Sequence, residues 1–254
     1  MCYNFIMMIL IFIFGLVVGS FLNCLIYRLE VGEGFLKGRS FCPYCRHILS
    51  WQDLIPLLSF LILRGKCRYC QKSISWQYPL VEIATGLLFL SIFNFQFSIF
   101  NLIIACFLII IFVYDLKHYI IPDKIIYPAI VIVLIYNFLR SDLLGRSDLL
   151  LSAFGAATFF LAIVLVSRGK WMGIGDIKLA FLMGLFLGFP NILVALFLAF
   201  SIGAIIGLGL IVSGKKTLKS EVPFGPFLVT GTFIALFFGG QIIHWYLNLF
   251  NLTI

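Results

Sequence analysis

The chain has 254 residues, 63% of them hydrophobic and only 11% charged, with a mean hydropathy of +1.14. A soluble domain is nearer half apolar and a quarter charged, so an aqueous globule is excluded and lipid must be part of the solvent. The net charge of +8 points to membrane lipid rather than nucleic acid as partner, because the positive residues sit in short loops between apolar runs.

The first apolar run, residues 5–27, has no positive charge before it and no A-x-A site after it. It reads as an uncleaved first span with its N-terminus outside, not as a secretory signal. Crossing a bilayer takes roughly 20 apolar residues, and further spans are expected near 79–97, 99–116, 125–139, 149–167, 177–189, 191–212 and 226–248. The sixth is short and follows a Gly-rich stretch. The fold class expected is an all-α polytopic membrane protein of about eight transmembrane helices with a small cytoplasmic zinc-binding loop. Its expected divisions are residues 1–27 (first transmembrane helix), 28–78 (cytoplasmic four-cysteine loop) and 79–254 (transmembrane core). With the loop placed in the cytoplasm and the spans alternating, sixteen of the eighteen Lys and Arg fall inside. Among them are Arg168, Lys170, Lys178, Lys215, Lys216 and Lys219. Only Arg140 and Arg146 fall outside, beside Asp142 and Asp148. This asymmetry puts both termini outside.

The 28–78 segment is the one sizeable polar region, and a core so small needs metal or disulfide support. Cys42-Pro43-Tyr44-Cys45 and Cys67-Arg68-Tyr69-Cys70 are two C-x-x-C knuckles with 21 residues between them. Two residues between cysteines let both thiolates reach one tetrahedral ion, and a second knuckle closes a four-sulfur Zn²⁺ site. Disulfides or redox dithiols are the alternatives, and a reducing cytoplasm disfavours structural disulfides. His47, two residues past Cys45, is a substitute ligand. Cys2, Cys24 and Cys106 lie in or beside apolar spans and read as packing residues.

Ionisable groups inside spans are costly and mark function. Asp115 ends the third span, Asp176 follows Gly173-Ile174-Gly175, and Glu82 follows Tyr78-Pro79 at the start of the second span. All three are expected at the cytoplasmic end. Two aspartates at one depth on different helices suggest a dyad that shares a proton, since like charges a few Å apart cannot both ionise. One carboxylate then activates water while the other protonates a leaving group. Gly173 and Gly175 permit a tight or unwound backbone beside the acid. The competing reading pairs each aspartate with a lysine such as Lys117 or Lys178. Asp123, after Ile121-Pro122, reads as an N-cap or a solvated loop acid. Other chemistries lack their motifs: there is no H-E-x-x-H and no G-x-S-x-G.

Taken together, the motifs resemble the type IV prepilin peptidases. Gly19-Ser20-Phe21-Leu22-Asn23, Tyr27-Arg28-Leu29, the two knuckles and Tyr78-Pro79-x-x-Glu82 are similar to that family's N-terminal half. Asp115, Ile121-Pro122-Asp123, Gly173-x-Gly175-Asp176-x-Lys178-Leu179 and Pro223-Phe224-Gly225-Pro226 are similar to its C-terminal half. The resemblance covers nearly the whole chain in the family's order. It implies a multi-pass enzyme of the bacterial inner membrane that is both aspartic endopeptidase and N-methyltransferase. Such enzymes remove the basic leader of type IV pilus prepilins and type II secretion pseudopilins, then methylate the new N-terminal residue with S-adenosylmethionine. By motif position the catalytic residues are Asp115 and Asp176 and the metal ligands Cys42, Cys45, Cys67 and Cys70. Gly173, Gly175, Pro223, Phe224, Gly225, Pro226 and Glu82 are the expected supports. Many members carry a second acid two residues after the first catalytic aspartate, where this chain has Lys117. No glycine-rich nucleotide loop marks a cofactor-binding residue, so methyl transfer rests on the resemblance. Glu30, Glu33 and Asp53 are candidate acids for a basic leader.

Two rival readings are a presenilin-like or signal-peptide-peptidase-like protease without methylation, which does not account for four cysteines, and a proton-coupled transporter. Transporters place coupling acids near the midplane, whereas these acids fall at one face. The expected orientation is checked in intact cells with a membrane-impermeant thiol reagent. It should label a cysteine introduced near Ser147 and spare one near Ser73, and the reverse pattern would overturn the orientation.

Overall fold

The computed structural model describes residues 2–32, 34, 38–95, 98–140, 147–214 and 222–249. Glu33, Asp142, Arg146, Lys215, Lys216 and Lys219 lie outside them. The described residues form helices α1 (Cys2–Val31), α2 (Leu58–Ile62), α3 (Gln77–Asn94), α4 (Ile99–His118), α5 (Asp123–Leu139), α6 (Ser147–Ser167), α7 (Ile174–Leu187), α8 (Asn191–Val212) and α9 (Gly225–Leu249), with a 3-10 turn at Trp51–Leu54. All eight expected helices are thus present. Five carry a stretch long and apolar enough to cross a membrane: Phe5–Val31, Ile99–His118, Asp148–Ser167, Asn191–Val212 and Gly225–Leu249. Helices α3, α5 and α7 have 18, 17 and 14 residues and do not join them. At 1.5 Å per residue α7 is roughly 21 Å long against a hydrocarbon thickness of about 30 Å. Among the described residues five helices thus meet the length and composition of a full crossing, and the count of eight spans is not confirmed.

The chain divides into two compact units, Met1–Ile110 and Ile111–Ile254. In the first, α1 lies along α3. The contact is close because glycines face it. A Cβ on Gly15 would stand 2.7 Å from Gly86 Cα, and one on Gly19 2.7 Å from Glu82 Cα. Small residues four apart let helix backbones approach in lipid, where no hydrophobic effect drives helices together. The ring of Phe14 adds a tilted contact with Phe89 at 5.9 Å.

In the second unit the same device recurs. Gly184 of α7 meets the backbone of Ala153 in α6, and Gly231 of α9 meets the carbonyl of Ala195 in α8. Helix α5 is tied to α7 by the buried bond from Asn137 Nδ2 to Leu185 O, 3.1 Å. Phe200 and Phe224 pack at 5.0 Å and both touch Phe160. That cluster seats the Pro223–Pro226 segment at the head of α9.

Replacing Gly19 with Ala should therefore destabilise the first unit by about 1–3 kcal/mol, the usual cost of overpacking. Gly207→Ala, whose added Cβ meets nothing within 4 Å, should be neutral or slightly stabilising, since Ala favours helix. Thermal unfolding in detergent compares the two.

Candidate active site and metal centre

Asp115 sits in the last turn of α4, 4% exposed. Its Oδ2 accepts a hydrogen bond from the Gly225 amide at 3.0 Å. That amide is the first of α9, where backbone N–H groups have no helical partner and attract negative charge. Position 225 requires glycine, because a Cβ there would lie 2.5 Å from Asp115 Oδ2. Pro226 follows as a residue with no N–H to leave unpaired.

Asp176 is the third residue of α7 and is 8% exposed. Gly173 is the N-cap, and its amide donates to Asp176 Oδ2 at 3.1 Å while Asp176 N donates to Gly173 O at 3.2 Å. The backbone is wound from Ile174 onward, so Gly173 caps a helix. Of the tight or unwound backbone that the glycines permit, the structure has the tight one, a helix cap. Glycine at 175 instead makes room: a Cβ there would come within 3.1 Å of Ile121 Cβ. The loop Ile121-Pro122-Asp123 is thereby laid over the head of α7.

The two carboxylates are near enough that the charge of Asp115 bears on Asp176. Among the described residues, each spends Oδ2 on a backbone amide rather than on lysine. Lys178 pairs with Asp123 instead, Nζ to Oδ1 2.6 Å, and stands over the Tyr127 ring at 4.8 Å. Asp123 does not cap α5. Pro122 holds the cap position and Asp123 is the first helical residue, where its charge favours the helix N-terminus. The lysine-pairing alternative for Asp176 thus gives way to an Asp123–Lys178 pair that joins the heads of α5 and α7.

Glu82 belongs to the first unit. It is 6% exposed, and its Oε2 accepts the Leu57 amide at 2.9 Å. Leu57 holds a left-handed backbone, φ 59°, at the start of α2. The acid's contact therefore serves the cysteine loop, tying it to α3.

The four sulfurs of Cys42, Cys45, Cys67 and Cys70 lie within 4.8 Å of one another. Tetrahedral Zn–S bonds of about 2.3 Å put sulfurs about 3.8 Å apart, and Cys42 and Cys70 are separated by 3.8 Å. The donor set fits a Zn²⁺ ion. Burial opposes charge on Cys42, but the amides of Cys45 and Tyr44 favour the thiolate and bring the group down to about 7, toward the form a metal needs.

The two knuckles are copies. Cys42 N donates to His47 O at 3.0 Å and Arg46 N to Cys42 O at 2.8 Å; Cys67 N donates to Lys72 O at 2.9 Å and Gln71 N to Cys67 O at 3.0 Å. Antiparallel bridges Phe41–Ile48 and Lys66–Ser73 flank them. Each knuckle's tyrosine is met by the other knuckle. His47 stacks on Tyr69 at 3.6 Å, and Lys72 Nζ stands over Tyr44 at 4.7 Å. His47 thus packs on Tyr69 and is not among the clustered donors, so it does not substitute for a cysteine. The signal was in the sequence. Cys-x-Tyr-Cys and Ser-Trp-Gln recur 25 residues apart, at 42–45 with 50–52 and at 67–70 with 75–77.

Asp53 is also occupied. Its carboxylate takes bonds from Ser50 Oγ at 2.8 Å, Ser50 N at 3.1 Å, Arg68 Nε at 2.7 Å and Tyr69 Oη at 3.3 Å. Burial works against its charge, but Ser50 and Arg68 outweigh that and hold it below the usual aspartate range. It locks the second knuckle to the 3-10 turn, so it is not a free acid for a basic leader.

The chain is similar to known proteins over most of its length. A family model described as the bacterial peptidase A24 N-terminal domain matches residues 13–96, and one described as the type IV leader peptidase family matches residues 102–208. A prepilin leader peptidase/N-methyltransferase of Aeromonas hydrophila is 32% identical, covering 95% of this chain and 94% of the relative. Proteins of the same name from Bacillus subtilis (strain 168) and Legionella pneumophila are 33% and 32% identical. They cover 96% and 97% of this chain and 99% and 96% of their own length. No solved structure matches the chain.

Elemental analysis of purified protein should find about one zinc per chain. Cys67→Ser should lower retention in the presence of a chelator, since three thiolates hold the ion less tightly. Zinc-free protein with all four thiols intact and a folded loop would exclude the metal centre.

Proposed function

The chain belongs to the type IV leader peptidase family, and we propose on that premise that it cleaves the leader from prepilins or pseudopilins and then methylates the amine so exposed. The observation that carries the peptidase reading is a pair of buried aspartates on two helices of the second unit, each held through one oxygen by a backbone amide. This leaves the second oxygen of each to act on a substrate.

In the proposed reaction one carboxylate takes a proton from water as the water oxygen bonds to the scissile carbonyl carbon. The other gives its proton to the leaving nitrogen as the C–N bond breaks. Asp115 and Asp176 fill these roles. Gly225 holds the first through its amide, and Gly173 orients the second as its cap. Pro223, Phe224 and Pro226 seat the Gly225 amide, Gly175 admits Ile121, and Glu82 anchors the cysteine loop.

In this reading residues 79–254 carry the peptidase core, and residues 28–78 form the cytoplasmic loop, with Cys42, Cys45, Cys67 and Cys70 on Zn²⁺. The protein lies in the bacterial inner membrane with both termini outside. S-adenosylmethionine supplies an electrophilic methyl group. The substrate's N-terminal nitrogen, free only after cleavage, must be held with its lone pair toward that carbon.

Purified protein should cut a membrane-embedded prepilin. Asp115→Asn and Asp176→Asn should each lower cleavage by about 10²–10⁴-fold or more, because an amide takes no proton from water. Asp123→Asn should cost about fivefold at most, the scale of an exposed ion pair. Gly225→Ala should fall between them, since it displaces the Asp115 carboxylate without removing it. Supplied with an already processed pilin, Asp115→Asn should still methylate while Cys42→Ser should not. Retained cleavage in either Asp→Asn protein would remove the dyad.

A further inference from the structure

In the first unit, between α1 and the start of α3, lies a group of polar side chains that neither the metal centre nor the aspartates use. Asn23 is 1% exposed, and its Nδ2 donates to the Tyr78 carbonyl at 3.1 Å. That bond orients the Asn23 amide, because a backbone carbonyl accepts only from the NH₂ end. Asn23 Oδ1 is therefore an acceptor, and Gln77 Nε2 donates to it at 3.3 Å. The orientation of Gln77 is set in turn, and its Oε1 is buried with no partner among the described residues. An orphaned buried carbonyl costs about 1–3 kcal/mol, and native structures rarely leave one without a reason.

The surroundings say what kind of donor suits it. Tyr78, next in sequence, lies within electrostatic reach of Glu30, Tyr27, Cys24 and the metal-ligating Cys42. Arg28 Nη2 donates to the Gly38 carbonyl at 2.6 Å. An N–H donor, neutral or positively charged, completes this arrangement.

We propose that Gln77 Oε1, buried and oriented by Asn23, binds a primary amine during methyl transfer. The amine is that of S-adenosylmethionine or that of the processed pilin's first residue. Both share the chemistry, and the assay separates them. The proposal rests on the methyltransferase reading above.

The test titrates zinc-loaded wild-type protein in detergent with S-adenosylhomocysteine and, separately, with a processed pilin peptide. Gln77→Met keeps the size of the side chain and removes the acceptor, together with the Nε2 donor to Asn23. It should weaken one ligand by about tenfold or more with zinc content unchanged, and the ligand that weakens identifies the amine. Gln77→Glu, which loses the same donor but keeps an acceptor, should bind that ligand more tightly than Gln77→Met. On unaltered protein, N-acetylating that ligand should cost about as much as Gln77→Met does, and the two changes together should cost little more than either alone. This arm does not depend on how the variants fold. Unchanged affinity for both ligands in Gln77→Met, or equal losses in the Met and Glu proteins, would leave Oε1 to a water molecule and overturn the proposal. Wild-type protein that binds neither ligand and methylates nothing would instead bring down the methyltransferase reading, and the proposal with it.

Discussion

A carboxylate on a helix that lipid surrounds must be met by donors from the protein, because the bilayer core offers none. Asp115 is met by the amide of Gly225, 110 residues away in sequence. The bond depends on two things at once: a helix that begins there, so that the amide is free, and a residue with no Cβ, so that the acid can approach. The rest of the second unit follows from keeping that amide in place. Phe224 is wedged among Phe160, Phe200 and Phe227. Helix α9 is pressed against α8 where Gly231 meets Ala195.

Asp176 solves the same problem locally. It takes its donor from its own helix cap, Gly173, and so needs no distant partner. One acid is held by tertiary structure and the other by secondary structure. That difference explains why Gly173 and Asp176 stand three residues apart as a recognisable motif, while the link between Asp115 and Gly225 has no local signature. Lys178 looked like a competitor for Asp176 because it is two residues away. On a helix, residues two apart do not face each other, and Lys178 turns to Asp123.

The hydrophobic runs alone placed the eight helices, and the cysteine spacing placed the four-sulfur cluster. What they could not convey was length in space. Helix α7 was foreseen as short, but the Gly-rich stretch before it left a tight and an unwound backbone open, and it is a cap followed by helix. Glu82 was grouped with the dyad for its charge and burial, and only the Leu57 amide at 2.9 Å assigns its contact to the cysteine loop. Single acids are ambiguous in this way, because a buried carboxylate does the same physical thing whether it anchors a loop or breaks a bond: it finds a donor. The duplicated knuckle was legible in the Cys-x-Tyr-Cys and Ser-Trp-Gln spacing. Its reciprocal pairs, His47 on Tyr69 and Lys72 on Tyr44, tie the two copies to each other beside the four sulfurs.

The order of the two reactions constrains the second site. A nitrogen can take a methyl group only through its lone pair, so an acceptor amine must be held without being locked as ammonium. A carboxylate facing the nitrogen favours the charged form and would work against transfer. An uncharged carbonyl accepts an N–H from either form, so it can hold the nitrogen while the proton leaves. Gln77 Oε1 is such a group, buried and fixed in orientation by Asn23. Should the amine prove to be that of the cofactor, charge is no obstacle, and the same acceptor serves only to orient it. In both cases Asn23 acts by deciding which end of the Gln77 amide is presented, a role that requires its own side chain to be held by a backbone carbonyl rather than by anything that titrates.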